Sequence, residues 1–326
     1  MKGLQMNTKA IASRRKENEL TDSNHYSGIE VLPIKGPIGA EVRCGDVREL
    51  DDARFGEIRR AWGDHLILLF RDQTLTDAEL LHFANRFGEL EKGVAPSIVQ
   101  KDHLDNDYVV VVSNVTKNGV AIGSLGDGEA IWHTDMSFNE IPPAGSFLYA
   151  LEIPPTGGET GVANMYQALE TMPADLRKRI EGLTIFNDGR YNSAGVLRRA
   201  STSATHPIVR THPETGYDAL YLGRRPHARI NELQPDISEE LLNTLWTHAT
   251  QARFAWHHSW KVGDILLWDN RCAMHHRNAF DPGSNRIMHR VQTAGTRPVR
   301  ETGKSGAHPR HLLSWRATFM YGLLDE

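Results

Sequence analysis

Cysteine is scarce in this 326-residue sequence: it occurs only at Cys44 and Cys272, and neither residue lies in a C-x-x-C pair. This scarcity argues against a disulfide framework and a thiolate metal site, and it favours a reducing compartment. Long apolar runs are also missing, since no stretch approaches the roughly 20 residues of a membrane span and no apolar signal segment follows the charged N-terminus. We therefore expect a cytoplasmic protein that does not enter a membrane.

The sequence also lacks an excess of positive charge. Its 37 Lys and Arg residues stand against 41 Asp and Glu residues, which gives a formal net charge of -4. No basic stripe with interleaved aromatic residues occurs, so we expect no nucleic-acid partner. Hydrophobic residues make up 40% and charged residues 24%, the balance of an ordinary folded globular protein.

One domain is expected after a polar leader. Residues 1–26 are polar and predict a mobile N-terminal leader. Residues 27–326 are long enough for a single domain with a sizeable core, although length alone also allows two smaller ones. Residues 311–324 carry more apolar side chains than a free tail would normally expose, so we expect this segment to pack on the domain or on another subunit.

Four helices are predicted by capping residues and apolar periodicity. The first is indicated by the helical spacing of Phe55, Ile58 and Trp62 and ends near Gly63, and the second starts at the T-x-x-E capping box of residues 76–79. Further helices are expected at about 165–181 and at about 238–250, the latter opened by Asp236 and Glu239 in capping positions.

Strands are predicted on both sides of these helices. They are expected at 66–70, 108–115, 131–138, 146–153, 253–260, 265–268 and 286–295. The chain shows no regular alternation of strand and helix and no dinucleotide-binding glycine motif. A mainly β fold with flanking helices, of the jelly-roll type, is therefore favoured over a parallel α/β sheet.

His133 and Asp135 form an H-x-D pair in the strand expected at 131–138. Side chains two apart on a strand point to the same side, so the imidazole and the carboxylate can bind one ion. Two histidines and one carboxylate on one face of a metal leave open positions, which suits Fe(II) oxygenases. His275 is the best candidate for the second histidine. His276 is the alternative, and only one of the two should reach the ion because adjacent strand residues face opposite ways.

Arg286 and Arg290 lie four residues apart in the last expected strand and therefore share a face. Two guanidinium groups on an inward face are costly without anionic partners, so we expect anions to bind there. A carboxylate fits an arginine bidentately, and 2-oxoglutarate carries one at its far end. The alternative is a pair of surface arginines.

Seven short blocks follow one another in a specific order and spacing. They are 37–42 (PIGAEV), 69–73 (LFRDQ), 86–90 (RFGEL), 132–135 (WHTD), 157–160 (GGET), 268–271 (WDNR) and 286–290 (RIMHR). Through these blocks the sequence resembles the taurine dioxygenase (TauD/TfdA) family of Fe(II)/2-oxoglutarate-dependent dioxygenases, from about Gly36 to Pro298. The resemblance implies a double-stranded β-helix, a cupin-like jelly roll, so that 27–326 would be one catalytic domain with helical insertions.

The resemblance also implies the cofactors and the metal ligands. Family members use Fe(II), 2-oxoglutarate and O2, and many are homo-oligomers, which we expect here too. His133, Asp135 and His275 match the family's metal ligands, and the register from the W-D-N-R block favours His275 over His276.

Four further residues match positions that bind cosubstrate or substrate in the family. Thr160 and Arg286 match the pair that holds the distal carboxylate of 2-oxoglutarate. Arg290 matches a residue that binds an acidic group of the substrate, and Trp268 resembles an aromatic residue that flanks the metal pocket. For Trp268, ordinary core packing is the alternative.

The implied activity is hydroxylation of a small organic anion, namely a sulfonate, a sulfate ester, an aryloxyalkanoate or a carboxylate, with formation of succinate and CO2. Hydroxylation beside a heteroatom would also break a C-S, C-O or C-N bond. Asp135 argues against halogenation, which needs the carboxylate position free. Taurine is doubtful as the substrate, because Glu91-Lys92-Gly93 and Gly128-Glu129-Ala130 replace the histidine and asparagine of taurine-specific members.

Two other functions remain open at this stage. A zinc hydrolase can also use two histidines and one aspartate with an open water position, although it would not explain Thr160 and Arg286. A non-catalytic β-barrel binding protein could keep the fold without the reaction.

Two further expectations concern segments away from the ligands. Residues 187–203, rich in Gly, Ser and Arg, predict a mobile lid over the substrate. The remaining histidines are expected to be structural or surface groups; they include His65, His206, His212, His257 and His258.

Overall fold

The computed structural model describes residues 26–93, 107–128, 130–191, 197 and 202–301. Its five α-helices are α1 (Asp52–His65), α2 (Asp77–Asn85), α3 (Met165–Glu170), α4 (Ala174–Arg179) and α5 (Pro235–Ala249). The first ten strands are β1 (Glu30–Pro33), β2 (Ala40–Arg43), β3 (Ile67–Phe70), β4 (Leu90–Glu91), β5 (Val110–Ser113), β6 (Thr116–Lys117), β7 (Val120–Ala121), β8 (Ser124–Leu125), β9 (Ala130–His133) and β10 (Gly145–Glu152). The others are β11 (Thr160–Asn164), β12 (Thr184–Asp188), β13 (Ser203–Pro207), β14 (Val209–Thr211), β15 (Asp218–Leu220), β16 (Arg229–Ile230), β17 (Ala255–His258), β18 (Ile265–Asp269), β19 (Ala273–Arg277) and β20 (Ile287–Thr293).

Two sheets form the body of the fold. The larger has the order β1-β2-β3-β18-β10-β20-β5-β8, with β4 also paired to β20, and the smaller has the order β17-β11-β19-β9. Most neighbouring strands in both sheets are antiparallel and come from distant parts of the sequence. The fold is the expected jelly roll, mainly β with flanking helices.

The two faces of the larger sheet have different partners. Its outer face is covered by α1 and α2, where Trp62 and Phe83 join a buried cluster with Phe147 of β10. Its inner face packs towards the smaller sheet. Trp268 and Met288 of this face belong to a second buried cluster, which also contains residues of α3 and α5. The space between the sheets therefore holds the core and any internal site.

The T-x-x-E capping box predicted at residues 76–79 is confirmed. The Thr76 hydroxyl accepts from the Glu79 backbone N–H, and the Glu79 carboxylate accepts from the Thr76 backbone N–H at 2.8 Å. Each bond satisfies a donor that the first helical turn leaves unpaired, which explains why α2 starts at Asp77.

Three local predictions are wrong in detail. The strand expected at 131–138 ends at His133, because the backbone turns there and Met136 adopts a φ of 48°. The helix expected at 165–181 is divided into α3 and α4 by a break that contains Pro173, whose ring cannot continue a helix. Helix α5 exists, but it begins at Pro235 with no side-chain cap, so neither Asp236 nor Glu239 caps it.

Several expectations concern residues outside the described part of the chain. Residues 1–25 and the segment 311–324 lie outside it, whereas Tyr26 donates a hydrogen bond to the Asp64 carboxylate at 2.9 Å. The segment 187–203 is described only in part, mainly as the ends of β12 and β13, so the lid remains a prediction. None of the described helices is long and apolar enough to cross a membrane.

Candidate active site

His133, Asp135 and His275 meet between the two sheets. His133 of β9 and His275 of β19 are direct partners across the antiparallel strand pair, which places both rings on one face. The Nε2 atoms of the two histidines lie 3.7 and 3.8 Å from the two Asp135 carboxylate oxygens. All three ligand atoms lie within 4.8 Å of one another and are buried, so one metal ion can bind them together.

The histidines are prepared to act as ligands. The His133 Nδ1 lies 2.7 Å from the carbonyl oxygen of Ile131, and an N–H donated there leaves Nε2 with a free electron pair. Burial holds the pKa of His275 well below its usual range, and the neighbouring His133 adds to this effect. A neutral His275 is the form that binds a metal.

The Asp135 carboxylate is held from three sides. Its Oδ2 accepts hydrogen bonds from Ser146 Oγ at 3.0 Å and from Gln292 Nε2 at 3.1 Å, and its Oδ1 accepts from Arg290 Nη1 at 3.2 Å. Burial alone would raise the pKa of Asp135, but the Arg290 guanidinium keeps it well below the usual range. The carboxylate is therefore ionised and fixed in direction.

The backbone of Asp135 is held by Asn270, a residue for which no role was predicted from the sequence. Asn270 Oδ1 accepts from the Asp135 backbone N–H at 2.8 Å, and Asn270 Nδ2 donates to the Asp135 carbonyl oxygen at 3.1 Å. Asp135 lies beyond the end of β9, so strand pairing does not position its backbone. The two hydrogen bonds from Asn270 position it instead. In the sequence, the W-D-N-R block of residues 268–271 was the one feature that drew attention to Asn270.

Arg286 forms an anion pocket beside the ion site. Arg286 is 1% exposed, and its Nε and Nη2 atoms have no hydrogen-bond partner within the described part of the chain. Burial and the nearby Arg277 lower the pKa of Arg286 to about 9, which still leaves it charged at neutral pH. Two unpaired donors on a buried cation require an anionic ligand, and the alternative of two surface arginines is excluded.

Thr160, His133, His275, Trp268, Arg286 and Arg290 all line one pocket of about 450 Å³, a volume that includes its opening to solvent. The Thr160 hydroxyl accepts from Trp260 Nε1 at 3.1 Å, which orients it. The Trp268 ring lies against the His275 ring with centroids 4.6 Å apart, and Trp268 is also part of the hydrophobic core.

His276 points away from the three ligands. Its Nε2 lies 2.8 Å from the Nε2 of His257, and its ring packs on Trp132 at 4.1 Å. The cluster that can hold an ion contains His275 instead, as the alternation of strand residues predicted.

Arg277 is a second residue without a role in the sequence analysis. Its guanidinium is buried and donates to the carbonyl oxygens of Leu125, Gly126 and Gly128, which ties the loop before β9 to β19. It also adds positive charge next to Arg286. The inner end of the pocket is thus strongly attractive to a carboxylate.

A second buried group, His212, Asp269 and Cys272, has the composition of a metal site but not the free atoms. His212 Nδ1 accepts from the backbone N–H groups of Glu214 and Thr215, so His212 Nε2 carries the proton and donates to Asp269 at 3.0 Å. His212 is therefore structural, as expected.

A jelly roll whose interior joins two histidines and one carboxylate beside an unpaired arginine defines a non-haem iron oxygenase with an acidic cosubstrate. The family model described as "Taurine catabolism dioxygenase TauD, TfdA family" matches residues 30–292. The chain belongs to this family.

Individual proteins support the same assignment. The chain is 33% identical to the (S)-phenoxypropionate/alpha-ketoglutarate-dioxygenase of Sphingobium herbicidovorans, over 84% of this chain and 97% of that protein. It is 31% identical to an alpha-ketoglutarate-dependent sulfate ester dioxygenase of Pseudomonas putida, over 87% of this chain and 96% of the relative. The crystal structure of AAD-2 in complex with Mn(II) and N-oxalylglycine superposes with a TM-score of 0.68 at 29% identity, covering 83% of this chain and 99% of that one.

The residues present fit the cofactors of the family. The three ligand side chains match the preference of Fe(II), and the unpaired Arg286 matches the need of a dicarboxylate cosubstrate. The chain is therefore an Fe(II)/2-oxoglutarate-dependent dioxygenase that uses O2.

Proposed function

We propose that this enzyme hydroxylates a small organic anion and forms succinate and CO2 from 2-oxoglutarate. Aryloxyalkanoates and sulfate esters are the first substrate classes to test. Two relatives that align with this chain over nearly their whole length are named as dioxygenases of phenoxypropionate and of sulfate esters. Sulfonates and simple carboxylates follow. Attack beside a heteroatom would also cleave a C-O, C-S or C-N bond.

In this proposal His133, Asp135 and His275 hold the iron. The three side chains would hold the ion, cosubstrate and O2 would occupy the positions that they leave open, and Asn270, Ser146 and Gln292 keep the Asp135 carboxylate in place. Iron and 2-oxoglutarate supply the oxidising chemistry, while the protein binds, orients and shields the reactants.

Arg286 is the residue whose environment carries the proposal. It is a fully buried cation with two donors unpaired among the described residues, in the pocket that His133 and His275 also line, and Thr160 adds a hydroxyl to the same pocket. We assign these two residues to the distal carboxylate of 2-oxoglutarate. A zinc hydrolase would need no such cation, and a non-catalytic protein would not need it next to the three ligands.

Arg290 is assigned to the anionic group of the substrate. It hydrogen-bonds to the ligand Asp135 and lines the pocket, its side chain is 17% exposed, and its buried Nε atom has no partner among the described residues. A guanidinium in this position can bind a carboxylate or a sulfate ester group. Activity confined to uncharged compounds would contradict this role.

Anaerobic titration of the iron-loaded protein with 2-oxoglutarate tests the proposal through a weak visible charge-transfer band. We expect the band in the wild type, no band in His133→Ala, and a Kd for 2-oxoglutarate raised about 10- to 100-fold in Arg286→Ala, because one hydrogen-bonded ion pair is lost. Arg43→Ala, which removes an exposed arginine, is the control and should leave the Kd unchanged.

The same samples separate the rival functions. A protein that shows no band, retains zinc and turns over an ester without 2-oxoglutarate would be a hydrolase. A protein that binds 2-oxoglutarate but never forms succinate with any member of the panel would be a binding protein.

We further propose that the enzyme works in the cytoplasm as a homo-oligomer and binds neither nucleic acid nor membrane. Both cysteines are buried and unpaired, which suits a reducing compartment. Light scattering coupled to size-exclusion chromatography measures the assembly directly, and a monomer at micromolar concentration would contradict the oligomer.

A further inference from the structure

Glu91 faces the active site although it lies far from the ligands in sequence. Strand β4 pairs with β20 so that Leu90 is opposite Thr293 and Glu91 is opposite Gln292. Opposed residues of an antiparallel pair share a face. Leu90 packs against the cluster on the outer face of the larger sheet, so Glu91 points to the inner face, where Gln292 contacts Asp135.

Strand register also brings Glu91 near the proposed anion site. Arg290 precedes Gln292 by two residues on the same face of β20, which makes Glu91 and Arg290 diagonal neighbours within reach of long side chains. No ion pair joins the two, because Arg290 is hydrogen-bonded to Asp135 instead. An acidic group and a basic group thus lie side by side on the inner face of the larger sheet without forming an ion pair with each other.

The Glu91 carboxylate is short of partners. Its Oε2 atom is buried and accepts no hydrogen bond from the residues that the structure describes, and the adjacent Lys92 is directed to Asp107 at the surface, 3.7 Å away. Burial and the negative charge of Asp135 raise the pKa of Glu91 to about 7, with Arg290 opposing the shift. A buried acceptor without a donor is unfavourable, and a ligand that brings a donor removes this cost.

We propose that Glu91 determines specificity by favouring a small organic anion that also carries a hydrogen-bond donor, such as an ammonium group, an amide N–H or a hydroxyl. This inference rests on the proposed function, because it assumes that Arg290 binds the anionic group. The substrate then places its anion on Arg290 and its donor on Glu91. An anion without a donor leaves Glu91 buried and unpaired, and it is therefore selected against.

Matched pairs of substrates test the inference. Each pair differs only in the donor: phenoxyacetate against the 2-, 3- and 4-aminophenoxyacetates, and hexanoate against 6-aminohexanoate and 6-hydroxyhexanoate. The readouts are kcat/KM from succinate formation and, without O2, the Kd of each compound from its effect on the visible band of the iron and 2-oxoglutarate complex. All measurements are made at pH 8, where Glu91 is mostly ionised.

We expect the wild type to prefer at least one donor-bearing member of a pair by about 10-fold or more, the value of one hydrogen bond to a charged group. Glu91→Leu should abolish the preference. Glu91→Gln keeps an acceptor without the charge, so it should retain the preference for a hydroxyl and lose that for an ammonium group. Lys92→Gln changes the neighbouring exposed side chain and should alter neither.

Equal or better binding of the donor-free members by the wild type, with no change in Glu91→Leu, would overturn the inference. So would failure of every donor-bearing compound to bind. The proposed function is judged separately, since the charge-transfer band and succinate formation with any anion report on it whatever the outcome at Glu91.

Discussion

Asn270 shows how much of a metal site depends on a residue that never touches the metal. Its amide makes two hydrogen bonds to the backbone of Asp135, at 2.8 and 3.1 Å, and a third to the Pro143 carbonyl oxygen at 3.0 Å. These bonds set the direction in which the Asp135 side chain leaves the turn. Asn114 plays the matching part for Arg286, because its Oδ1 accepts from the Arg286 backbone N–H at 3.0 Å.

Replacing these two asparagines should produce opposite defects. Asn270→Ala should raise the Kd for Fe(II) about 10- to 100-fold, the usual effect of removing a residue that hydrogen-bonds to a metal ligand. The Kd for 2-oxoglutarate should rise less. Asn114→Ala should raise the Kd for 2-oxoglutarate and leave that for Fe(II) nearly unchanged. Isothermal titration with Mn(II) and then 2-oxoglutarate measures both constants, and equal losses in both variants would mean that the amides only stabilise the fold.

Among the elements, those whose signals are local in sequence could be predicted. The T-x-x-E box gives α2. His133 and Asp135 do share one cluster, and Arg286 and Arg290 do line one pocket, but Asp135 reaches the cluster from beyond the end of β9 and not from the expected strand. The end of β9 could not be predicted, because the turn there depends on Asn270, a residue 135 positions away. The inward direction of Glu91 depends in the same way on its pairing with β20.

The turn that leads from β10 into β11 shapes the anion pocket. Gly158 adopts a φ of 71°, and a Cβ at this position would lie 3.3 Å from Arg286 Nε. Glycine is required here both by the left-handed backbone and by the close approach of Arg286.

Gly158→Ala should therefore weaken 2-oxoglutarate binding as well as lower the free energy of unfolding by more than about 1 kcal/mol. Gly182→Ala is a matched control, since Gly182 has the same φ of 71° but no atom within 4 Å of its Cβ position. It should cost similar stability in a denaturant titration and leave the Kd for 2-oxoglutarate unchanged. Loss of affinity in both variants would show that backbone strain alone is responsible.

At the scale of the whole molecule, the candidate site joins the two sheets. The smaller sheet provides His133, His275 and Thr160, and the larger sheet provides Arg290 and, just before β20, Arg286. A ligand that contacts both sheets binds only the folded state and must stabilise it.

Metal and cosubstrate should raise the melting temperature together. At concentrations 100-fold above the Kd the expected gain is about 2.7 kcal/mol per ligand, or roughly 5–10 °C for each ligand in a domain of this size. Differential scanning fluorimetry with Mn(II), alone and with 2-oxoglutarate, measures the shifts. In Arg286→Ala the first shift should persist and the second should shrink, and a full second shift there would contradict the assigned cosubstrate site.

The long separation between the ligands has a consequence for biosynthesis. A ribosome that has added Asp135, just beyond β9, has made two of the three residues that would hold the iron, but His275 and the supporting Asn270 follow only after about as many residues again. The nascent chain therefore carries an incomplete ligand set while residues 136–274 are made. The set is complete only after β19 has been synthesised, so the site that would hold the metal forms late in synthesis.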